Sequence, residues 1–211
     1  VNSSAIRCQP EPHFSSCVFP KNTRSLPLTS PPHDFSNIDP LDGRYYDADV
    51  ALHLSEQSRI TYQAYVEAAL AHTLAEYGIC SQEAALAIEV SARAIRAGEV
   101  YEEESVTKHD IKALVNCIKR GAPEAARPYV HFGATSYDIV ATASALQMRV
   151  AAQEVIVPRL KKLLGTLIGH AEAYATTVQI GRTHGQHAVP ITFGFAVSEY
   201  VSRLGESMIA I

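Results

Sequence analysis

The chain has 211 residues, with 18 Lys and Arg against 22 Asp and Glu, a formal charge of −4 when the nine histidines are neutral. That balance, without any block of consecutive basic residues, excludes the clustered positive surface that a phosphate-backbone binder needs. At 47% hydrophobic and 19% charged residues the composition also excludes disorder throughout, and no stretch approaches the roughly 18 consecutive apolar residues of a membrane-spanning helix.

In chain order, residues 1–36 hold six of the eleven prolines and seven serines with no apolar periodicity, so a disordered tail is expected there. From about residue 48 the pattern becomes helices joined by short loops, with no convincing alternating strand. Tyr62, Tyr65, Val66, Ala69, Leu70, Leu74 and Tyr77 fall on one 3.6-period face, stopped by Gly78. Ser81 caps a second helix with Ala85, Leu86, Ile88, Ala92 and Ile95 on its apolar face, ending at Gly98. Thr107 and Asp110 have the spacing of a capping box for a third helix through Ile111, Leu114, Val115 and Ile118, closed by Gly121. Thr135 and Asp138 repeat the device and open a segment running to about residue 172, kinked or restarted at Pro158 and on the order of 50 Å long. A loop from Gly181 to Pro190 leads to a last helix from about Thr192 to Ile211.

Cys8, Cys17, Cys80 and Cys117 share no Cys-x-x-Cys spacing, which argues against a disulfide framework or zinc knuckle and fits a reducing compartment. The chain also lacks a Gly-x-Ser-x-Gly elbow, a Gly-x-Gly-x-x-Gly fingerprint and a Walker-type phosphate loop.

Polar, titratable residues concentrate at helix ends in four segments: Leu41 to Tyr45, Thr107 to Asp110, His131 to Ser136, and Gly181 to His187. Thr135 and Ser136 place two hydroxyls at the free amides of a long helix, which suits either an anion site or, for Thr135, a plain N-cap. Lys108, His109 and Asp110 put a cation, an imidazole and a carboxylate within one turn, either a tuned imidazole or a cap with a solvated ring. His184, between Gly181 and Gly185, is of the type that moves protons near neutral pH. A metal reading of His184 with His187 lacks a third ligand at zinc spacing.

At these residues the sequence resembles the fumarase/aspartase superfamily, and most closely its adenylosuccinate lyase family. The resemblance covers about 175 residues from Asn37 onward and rests on four strings in the family's order: Asp39-Pro40-Leu41-Asp42-Gly43-Arg44-Tyr45, Thr107-Lys108-His109-Asp110-Ile111-Lys112, His131 to Asp138, and Arg182-Thr183-His184-Gly185-Gln186. It implies an all-α fold, with a helical first domain over residues 37–130 and the first long helices of a central bundle over 131–211. It implies a homotetramer with shared active sites, a cytoplasmic location, a small-molecule nucleotide substrate and no cofactor or metal.

By the same resemblance Arg44 and Tyr45 hold the substrate phosphate, Lys108, His109 and Asp110 line the nucleotide site, and His131 assists at the phosphate. Thr135 and Ser136 hold a carboxylate of the succinyl group, Thr183 also binds substrate, and His184 and His109 are the catalytic histidines, His184 as general acid. The reaction implied is β-elimination of fumarate. The family's base, a serine on a glycine-rich loop near Ser-Ser-x-Met-Pro-x-Lys, would follow Ile211, so the expectation is a truncated chain that does not turn over substrate alone. Ala141 stands where many relatives carry Asp. The nearest rival is a 3-carboxymuconate cycloisomerase, whose substrate has no phosphate; Arg44-Tyr45 and Lys108-His109-Asp110 weigh against it and against argininosuccinate lyase. From another class, a non-catalytic helical oligomerisation module remains open.

Overall fold

The computed structural model describes residues 45–211; the tail at 1–36 and Arg44 lie outside them. Helix α1 spans Ala48–Leu54, and the Asp47 side chain caps it by accepting from the Asp49 and Val50 amides. Helix α2 (Glu56–Glu76) starts at a Ser55 cap and stops at Gly78, which takes φ +70° and so fits glycine's freedom there. Its buried stripe is offset from the expected one. Ile60, Ala64, Glu67, Ala68, Ala71 and Leu74 face inward, whereas Ala69 and Tyr77 are exposed and Tyr65 and Val66 half-buried. Alanines at this spacing let neighbouring helices approach closely, and α3 and α6 both pack against α2.

Helix α3 (Gln82–Ala94) has Ser81 as its cap, as expected, but ends four residues before Gly98. Ile95 and Arg96 are extended, and a further helix, α4 (Ala97–Thr107), follows. The break is stabilised by side chains that no periodicity reveals: Glu99 accepts from the Arg96 amide at 2.7 Å and Gln57 from the Ala97 amide at 2.9 Å. Gly98 therefore lies in a first turn, not at a stop. Helix α5 (Asp110–Gly121) buries Ile111, Leu114, Val115 and Ile118 as expected, each worth about 1.5–3 kcal/mol of apolar burial.

A short 3₁₀ turn (Arg127–Tyr129) precedes α6 (Ser136–Ala151), which runs through a π-helical segment (Ala152–Ile156) into α7 (Val157–Ala173) with Pro158 in its first turn. The missing amide of Pro158 explains why the ladder loosens to π spacing just before it. The resulting rod of 38 residues, 136–173, is about 57 Å long at about 1.5 Å per residue. Helix α1 is tied to it where Arg159 pairs with Asp47 and Asp49, and where the buried Gln147 donates to the His53 carbonyl at 2.8 Å.

The expectation of no strand is corrected over Val178–Thr192. Strands β1 (Val178–Thr183) and β2 (Gln186–Thr192) form an antiparallel hairpin in place of the expected loop, with a register shift between Ile180 and Arg182. His184 (φ 52°) and Gly185 (φ 71°) are its two central turn residues, the positive-φ pair of a primed hairpin turn. Both strands are largely exposed, so they carry no inside-outside alternation, and Pro190 is tolerated because a two-stranded sheet has only edges. Helix α8 (Phe193–Ala210), capped by Thr192, packs back on α7. Its outer side and that of α7 leave Leu163, Ile168, Phe195 and Ile209 exposed. Among the described residues no helix is long and apolar enough to cross a membrane.

Candidate active site

Two helix N-termini meet at the site. The expected Thr107–Asp110 capping box is not how α5 begins: Thr107 is the last residue of α4, Lys108 takes a left-handed conformation (φ 56°), and His109 is the N-cap. His109 Nδ1 accepts from the Lys112 amide at 3.3 Å, and Asp110 Oδ1 accepts from the Ile111 amide at 2.7 Å. The α6 box forms as expected, with Asp138 Oδ2 accepting from the Thr135 amide at 2.8 Å. This leaves Ser136 unused by the cap, and its Oγ lies 3.4 Å from His109 Nε2.

Between α5 and α6 opens a pocket of about 650 Å³. Thr107, His109, Lys112, Lys119, His131 and Ser136 supply its polar lining, and among the described residues no Asp or Glu lines it. Amides of a helix start, hydroxyls and basic groups make a receptor for anions, carboxylates included, with Glu67 behind His131 and Asp110 beside His109. His131 (φ 63°) and Gly133 (φ 77°) turn the connecting segment over it.

The structure thus brings His109, His131 and Ser136 together, with Lys108, Asp110 and Thr135 flanking them in sequence. It does not bring Tyr45, Thr183 or His184 to this pocket within one chain. Tyr45 is exposed ahead of α1, and Thr183 and His184 are exposed at the hairpin turn, where Thr183 Oγ1 lies 2.5 Å from His184 Nδ1. Two participants escaped sequence reasoning. Lys119 lies two turns beyond Lys112 on the face they share with Val115, a spacing that was available as a signal. Glu67 carried none, being an acid within an apolar stripe; it pairs with His131 at 2.6 Å. Burial pushes its carboxyl above the ordinary range, while His131 draws it back.

Comparison with known proteins identifies the family. The sequence model of a family described as "Lyase" matches residues 45–210. Adenylosuccinate lyase from Methanocaldococcus jannaschii is 37% identical over 169 residues, covering 79% of this chain and 36% of that protein. The solved structure of a fumarate lyase from Mesorhizobium sp. BNC1 superposes with a TM-score of 0.70 at 31% identity, covering 79% of this chain and 39% of that one. That of 3-carboxy-cis,cis-muconate lactonizing enzyme from Pseudomonas putida gives a TM-score of 0.70 at 30% identity, over 76% and 38%. The chain thus spans little more than a third of the length of these relatives. With a family match over residues 45–210 and relatives such as the Methanocaldococcus enzyme at 37% identity, the chain belongs to this lyase family, within the fumarase/aspartase superfamily.

Proposed function

We propose that this chain forms part of an adenylosuccinate lyase, which cleaves adenylosuccinate into AMP and fumarate and acts likewise on the succinyl-aminoimidazole-carboxamide ribotide. The observation that carries the reading is the pocket where His109, Ser136 and the two helix starts meet, lined by Lys112 and Lys119 and by no Asp or Glu among the described residues, since a succinyl group presents two carboxylates. The similarity to the Methanocaldococcus enzyme supports the choice of substrate.

In this reaction a base removes a proton beside one carboxylate, and charge accumulates as an enediolate-like dianion. The Ser136 and Thr135 hydroxyls and the first α6 amides are donors suited to that charge. The electron pair of the C–N bond leaves with the nitrogen, which takes a proton from His184, and fumarate is released. Arg44 and Tyr45 grip the phosphate, and Lys108, His109 and Asp110 the nucleotide. Because Tyr45, Thr183 and His184 lie away from the pocket within one chain, the reading includes a homotetramer in which neighbouring copies complete each site. The exposed apolar side chains of α7 and α8 support such an assembly.

Absorbance-monitored turnover of adenylosuccinate by the full protein tests the reading, with loss of activity expected in His184→Ala. Absence of turnover in the wild type, or undiminished activity in the variant, overturns it. A second reading, a 3-carboxymuconate cycloisomerase, is favoured by the equally good superposition on the Pseudomonas enzyme. Turnover of 3-carboxy-cis,cis-muconate in place of adenylosuccinate would select it.

A further inference from the structure

Glu67 is out of place in its helix. The rest of the inward stripe of α2 is apolar or small, apart from Gln63 and Ser58, yet the Glu67 side chain is 0% exposed. Its Oε1 lies 2.6 Å from His131 Nδ1, and its Oε2 has no hydrogen-bond partner among the described residues. An enclosed carboxylate costs several kcal/mol unless a partner compensates it, on the order given by ion desolvation. Here the compensating groups are the His131 ring and, at longer range, Lys119 of α5.

The partner is also unusual. His131 holds φ 63°, a left-handed backbone that costs a non-glycine residue about 1–2 kcal/mol and persists only where the surroundings impose it. The same ring forms part of the pocket wall, beside His109 and Lys112. With Nδ1 held by Glu67, Nε2 is the ring nitrogen left to meet a ligand.

We infer that Glu67 is a positioning residue of this site: its buried carboxylate accepts a hydrogen bond from Nδ1–H of the His131 imidazolium and so holds the ring with its Nε2–H donating to an oxygen of the anion bound between α5 and α6. The identity of that anion as a carboxylate substrate rests on the lyase reading; the Glu67–His131 pair does not. A buried acceptor behind a ligand-facing imidazole fixes its ring orientation, as carboxylates do behind metal-bound histidines.

The test is nitrogen-15 NMR of the histidine rings in the unmodified chain and in Glu67→Gln, titrated with inorganic phosphate and with fumarate. In the unmodified chain with phosphate bound, His131 is expected to carry a proton on both ring nitrogens, and its Nε2 signal to move as phosphate binds. In Glu67→Gln phosphate is expected to bind roughly tenfold more weakly than to the unmodified chain. A bare Nδ1 in the unmodified chain, or an Nε2 indifferent to both anions, overturns the inference even if the variant does not fold. Unchanged phosphate binding in a folded variant does the same. Phosphate binding without fumarate binding leaves the role of Glu67 standing and tells against the lyase reading alone.

Discussion

Ser136 Oγ lies 3.4 Å from His109 Nε2, linking the cap of α5 to the first residue of α6. Because His109 Nδ1 accepts the Lys112 amide, the neutral ring carries its proton on Nε2 and donates it to the hydroxyl, which leaves the Ser136 proton free for a ligand. Capping and ligand binding are therefore assigned to opposite nitrogens of one ring. His109→Ala is expected to lose about 0.5–2 kcal/mol of stability with the cap, whereas Asn, itself a good cap, should hold stability within a few tenths. Both variants should bind fumarate more weakly. Urea unfolding alongside calorimetry separates the two effects, and equal destabilisation by Ala and Asn would refute the capping role.

The same logic applies at α6, where the Asp138 carboxylate accepts the Thr135 amide and adds a negative charge to the positive end of the rod. Asp138→Ala should cost about 1 kcal/mol in urea unfolding, and high salt should reduce only the part that comes from the charge. A variant as stable as the parent would show that the box contributes nothing there.

The helices whose signals were local were legible in the sequence. The Ser81 cap, the Gly78 stop, the α5 face and the Thr135–Asp138 box each depend on residues within a turn or two, and each stands as read. What escaped depends on partners far along the chain. The Ile95–Arg96 break is held by Gln57, and the buried side of α2 is chosen by the alanines that meet α3 and α6. The hairpin lies mostly in solvent, so burial never wrote an alternation into it. Of the candidate site, His109, His131 and Ser136 were legible as motif residues, but Glu67 was not, because its partner lies 64 residues away.

Acid should weaken the fold in part through Glu89. The hydrogen bond from His72, followed by that from Arg93, holds its carboxyl below the ordinary value of 4.5, against a smaller opposing effect of burial than the His72 bond. A carboxyl depressed in the folded state contributes stability that is present above 4.5 and is lost as the pH falls through its folded value. Melting temperature should therefore decline on acidification below that point, and Glu89→Gln should flatten the decline. Parallel acid limbs in parent and variant would exclude the contribution.

The close approach of α8 to the end of α7 makes Gly194 a steric requirement. A Cβ there would stand 2.3 Å from the Ala171 carbonyl oxygen and 2.8 Å from the Ala175 backbone, all of it main chain that cannot swing aside as a side chain would. The residue also sits where the hairpin returns to the helices, and its amide donates to the Tyr174 carbonyl at 2.9 Å. Gly194→Ala should thus force α8 away from α7 and cost about 1–3 kcal/mol or more, the range of overpacked cores. By contrast Gly205→Ala, on the same helix with open space around its Cβ, should be neutral or slightly stabilising through helix propensity. Thermal unfolding of the two variants side by side is the check: if Gly194→Ala melts no lower than Gly205→Ala, the two helices do not meet at this glycine as described.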